Sequence, residues 1–387
     1  MTHAMDGTEQ ALVDLAPLLR LLLLALLLAL LPLSWWWLRA RGADTRGRMA
    51  TLTALTLFLT FDLIVFGSFT RLSDSGLGCP DWPGCYGEVS PFGARDDIVA
   101  AQTAAPGGPV TWSKAWIEMI HRYLAMTVGV LILVMAVFSW IGRRRLPFSP
   151  WWPTVTLVWV IVQGMFGKYT VTLKLYPAVV TLHLLGGLLL LALLAAQHAA
   201  FRQQPLALAD TRPLRRAAAV VLALLVAQVA LGGWVSTNYA VLACTGFPTC
   251  NGQWWPEMDF ATGFTLLRGL GGEDGVLRTV PSQVAIHMAH RLGAVVLTLA
   301  MLGLVWALWQ RRADCPATGR FALGLLALLG LQILSGLSNV VLGWPLLAAL
   351  THSAGAAALV LLMTLLLARL PAPQRAPQAH GPRPAAA

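Results

Sequence analysis

The sequence predicts an all-α polytopic membrane protein: two homologous four-helix transmembrane bundles in a parallel, pseudo-two-fold arrangement, with one extra N-terminal transmembrane helix. Three observations carry that prediction. The chain is 57% hydrophobic and only 11% charged, with a mean hydropathy of +0.68, whereas roughly a quarter of the residues in a soluble domain carry charge. Its apolar residues gather into stretches of about twenty, the length a helix needs to cross a hydrocarbon core of about 30 Å. The second half of the chain also repeats the first, as parallel-repeat membrane folds do.

The first stretch, 18–38, follows Asp6, Glu9 and Asp14 with only Arg20 opposing them, and its basic flank lies after it. A cleaved signal peptide carries the basic flank in front, so this segment is expected to be an uncleaved anchor. Eight further spans are expected at 49–69, 115–141, 152–172, 176–200, 214–236, 281–308, 321–342 and 346–368. With the 39–48 loop in the cytoplasm, the loops and tail on that side hold 17 arginines, from Arg39 to Arg383. The other side holds 7 basic residues, Arg71, Arg95, Lys114, Lys168, Lys174, Arg268 and Arg278, although its two loops are long. That is the positive-inside bias, and it accounts for most of the net charge of +10 without any nucleic-acid partner. The chain is thus expected to be multi-pass in a bacterial cytoplasmic (inner) membrane, with its N-terminus outside and its C-terminus cytoplasmic. A tail rich in Pro and Ala after Pro371 reads as disordered.

Spacing reveals the duplication. Glu118-Met-Ile-His121-Arg122 matches His287-Met-Ala-His290-Arg291 at an offset of 169, and the same offset takes Gln163 to Gln332, Gly167 to Gly336, His183 to His352 and Gly186 to Gly355. The outer loops repeat too, Cys79 to Gly87 matching Cys244 to Gly252 at an offset of 165. Five regions follow: 1–48 with the extra helix and a cytoplasmic linker, 49–201 as the first bundle, 202–213 as a linker, 214–369 as the second bundle, and 370–387 as the tail.

Four of the eight histidines fall at equivalent places, His121 with His183 and His290 with His352, each pair 62 residues apart. An imidazole inside hydrocarbon is expensive without a partner. Two of them facing each other across a four-helix bundle suit axial ligation of haem iron; the plainer alternative is a hydrogen bond to a nearby carbonyl. Arg122 and Arg291 follow their histidines directly and could meet haem propionates or snorkel to lipid headgroups. Three residues before the histidine the halves differ, with Glu118 in the first and His287 in the second. A carboxylate one turn from a ligand could move protons or stabilise developing charge, or it could simply pair with Arg122. Asp62, within the second apolar stretch, could serve proton transfer or bond to another helix, while His198, His3 and His380 are expected to be unligated.

Four of the five cysteines form two C-x5-C pairs on the oxidising side, Cys79-Cys85 and Cys244-Cys250, where disulfides persist. Either could be a structural staple, and the first could exchange with a partner thiol. Cys315 is expected to be free.

The run Thr70-Arg-Leu-Ser-Asp-Ser-Gly-Leu-Gly-Cys79-Pro-Asp-Trp-Pro83, with Glu118-x-x-His121-Arg122, His183, His290-Arg291 and His352, resembles the haem A synthase family of cytochrome oxidase assembly over about residues 49 to 369. The resemblance implies an oxidoreductase that turns a methyl group of haem O into a formyl group by successive hydroxylations. It implies that His121 and His183 hold the substrate haem, that His290 and His352 hold a haem b cofactor, and that Glu118 is catalytic. Haem O synthase, an electron donor such as a ferredoxin, membrane lipid and a homo-oligomer are partners compatible with it. Iron held by two histidines has no open position for oxygen, so either His121 or His183 leaves during turnover or the substrate iron is not the oxidant. The competing readings are a di-haem membrane cytochrome acting only as an electron carrier, and a transporter built on parallel repeats.

Overall fold

The computed structural model describes residues 16–208, 210–267 and 279–370. The expectations placed on His3, Asp6, Glu9, Asp14, Arg268, Arg278, His380 and the tail from 371 onward lie outside the described residues.

Every described element is a helix: α1 (Ala16–Arg39), α2 (Thr45–Leu72), α3 (Arg95–Ala104), α4 (Trp112–Ile141), α5 (Trp151–Thr172), α6 (Pro177–Arg202), α7 (Arg212–Thr237), α8 (Phe260–Gly263), α9 (Val280–Gln310), α10 (Pro316–Val341) and α11 (Leu346–Arg369). The nine long ones correspond to the nine expected spans. Their ends run past the apolar stretches because capping chemistry, rather than hydropathy, sets them. Asp44 accepts from Gly47 N at 2.8 Å to start α2, and Thr111 and Thr279 do the same for α4 and α9, satisfying amide groups that have no partner inside the helix. Proline occupies the first turn of α6, α7, α9 and α10, where its missing N–H is not needed.

Among the described residues, eight helices are long and apolar enough to cross a membrane, which makes this a multi-pass membrane protein. The ninth, α5, carries Gln163, Lys168 and four threonines and falls outside that set. It packs between α4 and α6 as α10, its counterpart, packs between α9 and α11.

The helices close into two rings, α2-α4-α5-α6 and α7-α9-α10-α11. They meet where α6 touches α7, α11 touches α2, and α6 touches α11. Exchanging the two rings leaves that pattern unchanged, as a duplication requires. Helix α1 lies outside the first ring against α4 and α2, with Leu23, Leu27 and Leu31 turned outward. Asp62 is exposed on α2 and shares its face with Phe58 four residues earlier, so it is not inside the bundle.

Apolar packing is layered along the helices. One cluster fills the end of the first ring away from the disulfide loops, through Leu52, Leu131, Met135, Leu194 and Phe201; another fills that of the second, through Leu225, Met301, Leu308, Leu325 and Met363. Smaller clusters around Cys79 and Cys85, around Trp234 and Ile286, and around Cys244 and Cys250 close the opposite ends. The four paired histidines lie in the band between these layers.

Candidate functional site

In that band each histidine backs onto a glycine of an adjacent helix. A Cβ on Gly67 would lie 2.8 Å from His121 Cε1, on Gly167 3.6 Å from His183 Cε1, on Gly232 3.1 Å from His290 Cε1, and on Gly336 3.0 Å from His352 Cε1. Gly67 and Gly232 are related by the offset of 165, Gly167 and Gly336 by that of 169. Sequence reasoning paired Gly167 with Gly336 but assigned no contact to either, and it missed Gly67 and Gly232; applying the loop offset to α2 would have found them. Gly186 and Gly355 make room for the carboxamides of Gln163 and Gln332, and Gly293 for that of Gln228.

His290 and His352 face each other edge to face, with ring centroids 6.5 Å apart. Imidazole nitrogens bind a metal at about 2 Å, which puts the centres of two opposed rings about 6 Å apart. The separation of the second pair matches that span. In the first pair, Phe66 stacks parallel to His121 at 6.4 Å and 9°. The Nδ1 atoms of His121 and His183 are buried and have no hydrogen-bond partner, although both residues remain half-buried. The Nδ1 atoms of His290 and His352 each have a polar neighbour, so the two pairs differ in their surroundings. Haem iron brings four nitrogens of its own, so two histidines per site suffice. Among the described residues no group of three or more His, Cys, Asp or Glu is gathered for a bare metal ion.

Glu118 is buried on α4, one turn before His121. One carboxylate oxygen accepts from Arg122 at 2.5 Å and the other from Cys79 N at 2.8 Å. Arg122 also donates to the carbonyls of Pro83 and Gly84, so the pair ties the outer loop to the helix. The second half makes the same tether with other atoms: His287 Nδ1 lies 3.0 Å from Ala240 O, and Arg291 donates to Thr249 O and Gly246 O. His287 therefore points at its loop and does not compete with His290. His198 lies further along α6, near Ala50 and away from the four.

The loops themselves are duplicated. Cys79–Cys85 and Cys244–Cys250 are disulfides, and Cys85 exchanges backbone hydrogen bonds with Glu88 as Cys250 does with Gln253. In the first loop Asp81 accepts from Tyr86 N and Gly87 N. Partial burial, with Asp97 and Asp81 nearby, raises the Tyr86 phenol above its ordinary value. Cys315 is free and buried.

Residues 50–364 match the sequence family described as cytochrome oxidase assembly protein. Curated relatives include the heme A synthase of Shewanella oneidensis, 39% identical over 319 residues that cover 81% of this chain and 94% of that one. Those of Cereibacter sphaeroides, at 30% over 82% of this chain and 86% of the relative, and of Shouchella clausii, at 27% over 76% and 86%, are also similar.

Proposed function

The chain belongs to the cytochrome oxidase assembly protein family, and from that membership we propose that it is a membrane oxidoreductase converting haem O to haem A. One methyl group of the substrate ring becomes a formyl group through successive hydroxylations. One observation carries the reading further: two matched histidine cradles differ in chemistry, because Glu118 stands beside the first where the second has His287.

The first bundle, 49–201, receives haem O between His121 and His183; the second, 214–369, holds a resident haem b between His290 and His352. The bound cofactor supplies an iron centre able to take up and pass on single electrons. The rest is the work of side chains. The four imidazoles orient two flat rings, and the glycines behind them allow the rings to stand where they do. Glu118 accepts or returns a proton at its carboxylate, held in place by Arg122 and Cys79 N. A tether to the loop does not by itself require a carboxylate, since His287 provides one in the second half, so the charge in the first half serves another purpose. Arg291 keeps one buried N–H, at Nε, without a partner, and that is the donor it would offer to a propionate. Arginine excess on one side and disulfide loops on the other support insertion in a bacterial inner membrane with the loops outside. A pure electron carrier would have no need of a carboxylate in one half only.

The test is expression of the chain in a host that makes haem O but no haem A, followed by extraction of the haems. Haem A is the expected product. Unaltered haem O beside well-folded, haem-loaded protein would leave the chain an electron carrier.

A further inference from the structure

We propose that Ser335, Gln228 and Gln332 are positioning residues that lock His352 and His290 onto a haem that stays, and that the lack of working counterparts leaves the first pair free to release its haem. This rests on the haem reading above and deepens it.

A histidine that binds a metal through one ring nitrogen must carry its proton on the other, and the hydrogen bond made there fixes both tautomer and orientation. Ser335, buried on α10, donates its hydroxyl proton to Leu331 O at 2.6 Å. What it turns toward His352 Nδ1, 3.0 Å away, is therefore a lone pair. In the proposed tautomer Nδ1 carries the proton, and Nε2 is left bare for iron. Gln332 donates to the main-chain carbonyl of His352 at 3.0 Å, so ring and backbone are held together.

His290 has a matching arrangement from α7. Gln228 Nε2 lies 3.0 Å from both His290 O and His290 Nδ1 and 3.5 Å from His290 Nε2, so it packs against the side of the ring. Its bond to His290 O and its contact with the ring hold main chain and imidazole together, as Gln332 and Ser335 do for His352.

The first half has nothing equivalent. The offset of 169 puts Phe166 in the place of Ser335, and that of 165 puts Leu63 in the place of Gln228. Gln163 keeps the place of Gln332, but both of its amide atoms are buried and unpartnered. His121 and His183 are correspondingly left with bare Nδ1 atoms. A substrate must arrive and its product must leave, whereas a cofactor stays, and the polar shell divides the two pairs along that line.

The experiment follows haem transfer from the purified, haem-loaded chain to excess apomyoglobin, with low-temperature EPR of the oxidised protein as the second readout. Wild type should release haem in a fast and a slow phase, the slow one lost in His352→Ala. Ser335→Ala should speed the slow phase by about 10- to 100-fold, the usual effect of losing such a partner, and shift its g-values. It should leave the fast phase unchanged, and Ser335→Thr should restore both readouts. The reciprocal change, Phe166→Ser, should slow the fast phase, and it keeps the idea testable if Ser335→Ala does not fold. A slow phase and g-values unaltered in Ser335→Ala and Gln228→Leu would overturn the inference and leave the haem reading intact. A wild-type chain that binds no haem would overturn the haem reading itself.

Discussion

His290 and His352 stand with their ring planes crossed at 76° and their centroids 6.5 Å apart, each pressed against a glycine of the neighbouring helix. The contact is close enough that the glycines act as part of the cradle. At a separation near 3 Å an added methyl group must push the ring aside, because packed interiors leave little slack.

Gly336→Val should therefore displace the His352 ring and lower the haem retained per chain several-fold. Gly330 lies on the same helix with nothing within 4 Å of an added Cβ, so Gly330→Val should retain the wild-type amount. The ratio of Soret to protein absorbance after purification checks both, and equal retention in the two variants would remove the glycine's role.

Glu118→Gln keeps the shape of the side chain and an oxygen for Cys79 N, but removes the carboxylate. Haem content should stay near wild type while haem A formation falls by about 100-fold or more, the scale of a lost acid–base group. Extracted haems, separated and quantified, report both quantities. Wild-type product from this variant would reduce Glu118 to a tether.

Sidedness is open to direct labelling. In a Cys315→Ser background, a cysteine at Gly107, in the exposed turn between α3 and α4, should react with a membrane-impermeant maleimide on intact cells. One at Arg144, between α4 and α5, should react only after the membrane is opened. The reverse pattern would invert the arginine-based orientation.

Much of this architecture was legible in the sequence, because hydrocarbon imposes a length and a composition that no other solvent does. The nine long helices and the fourfold histidine pattern were readable by spacing alone. Helix α3 was not, since its ten residues, opening on Arg95, Asp96 and Asp97, lie outside the apolar stretches and show no membrane signal. Reading α5 as a span followed its length: Gln163 and Lys168 dilute its apolar character, so by hydropathy it falls outside the eight. The direction of a side chain is the other thing spacing withholds. The repeat register selects His290 over His287 as ligand, but only Ala240 O, 3.0 Å from its ring, shows where His287 points. Asp62 read as a group buried in an apolar segment, yet the turn of α2 carries it outward beside Phe58. The shell around His352 was hidden for a further reason: a serine and a glutamine in an apolar helix look ordinary until their partners are known.

The claim beneath all of this is that each ring of helices grips an iron macrocycle between its own two histidines. Near-infrared magnetic circular dichroism of the oxidised protein reads bis-imidazole ligation directly. In His121→Ala the signal of the resident haem should persist undiminished, and in His352→Ala it should vanish. In protein isolated free of haem O, a bis-imidazole signal that survives in His352→Ala, or that disappears equally in both variants, would contradict the account.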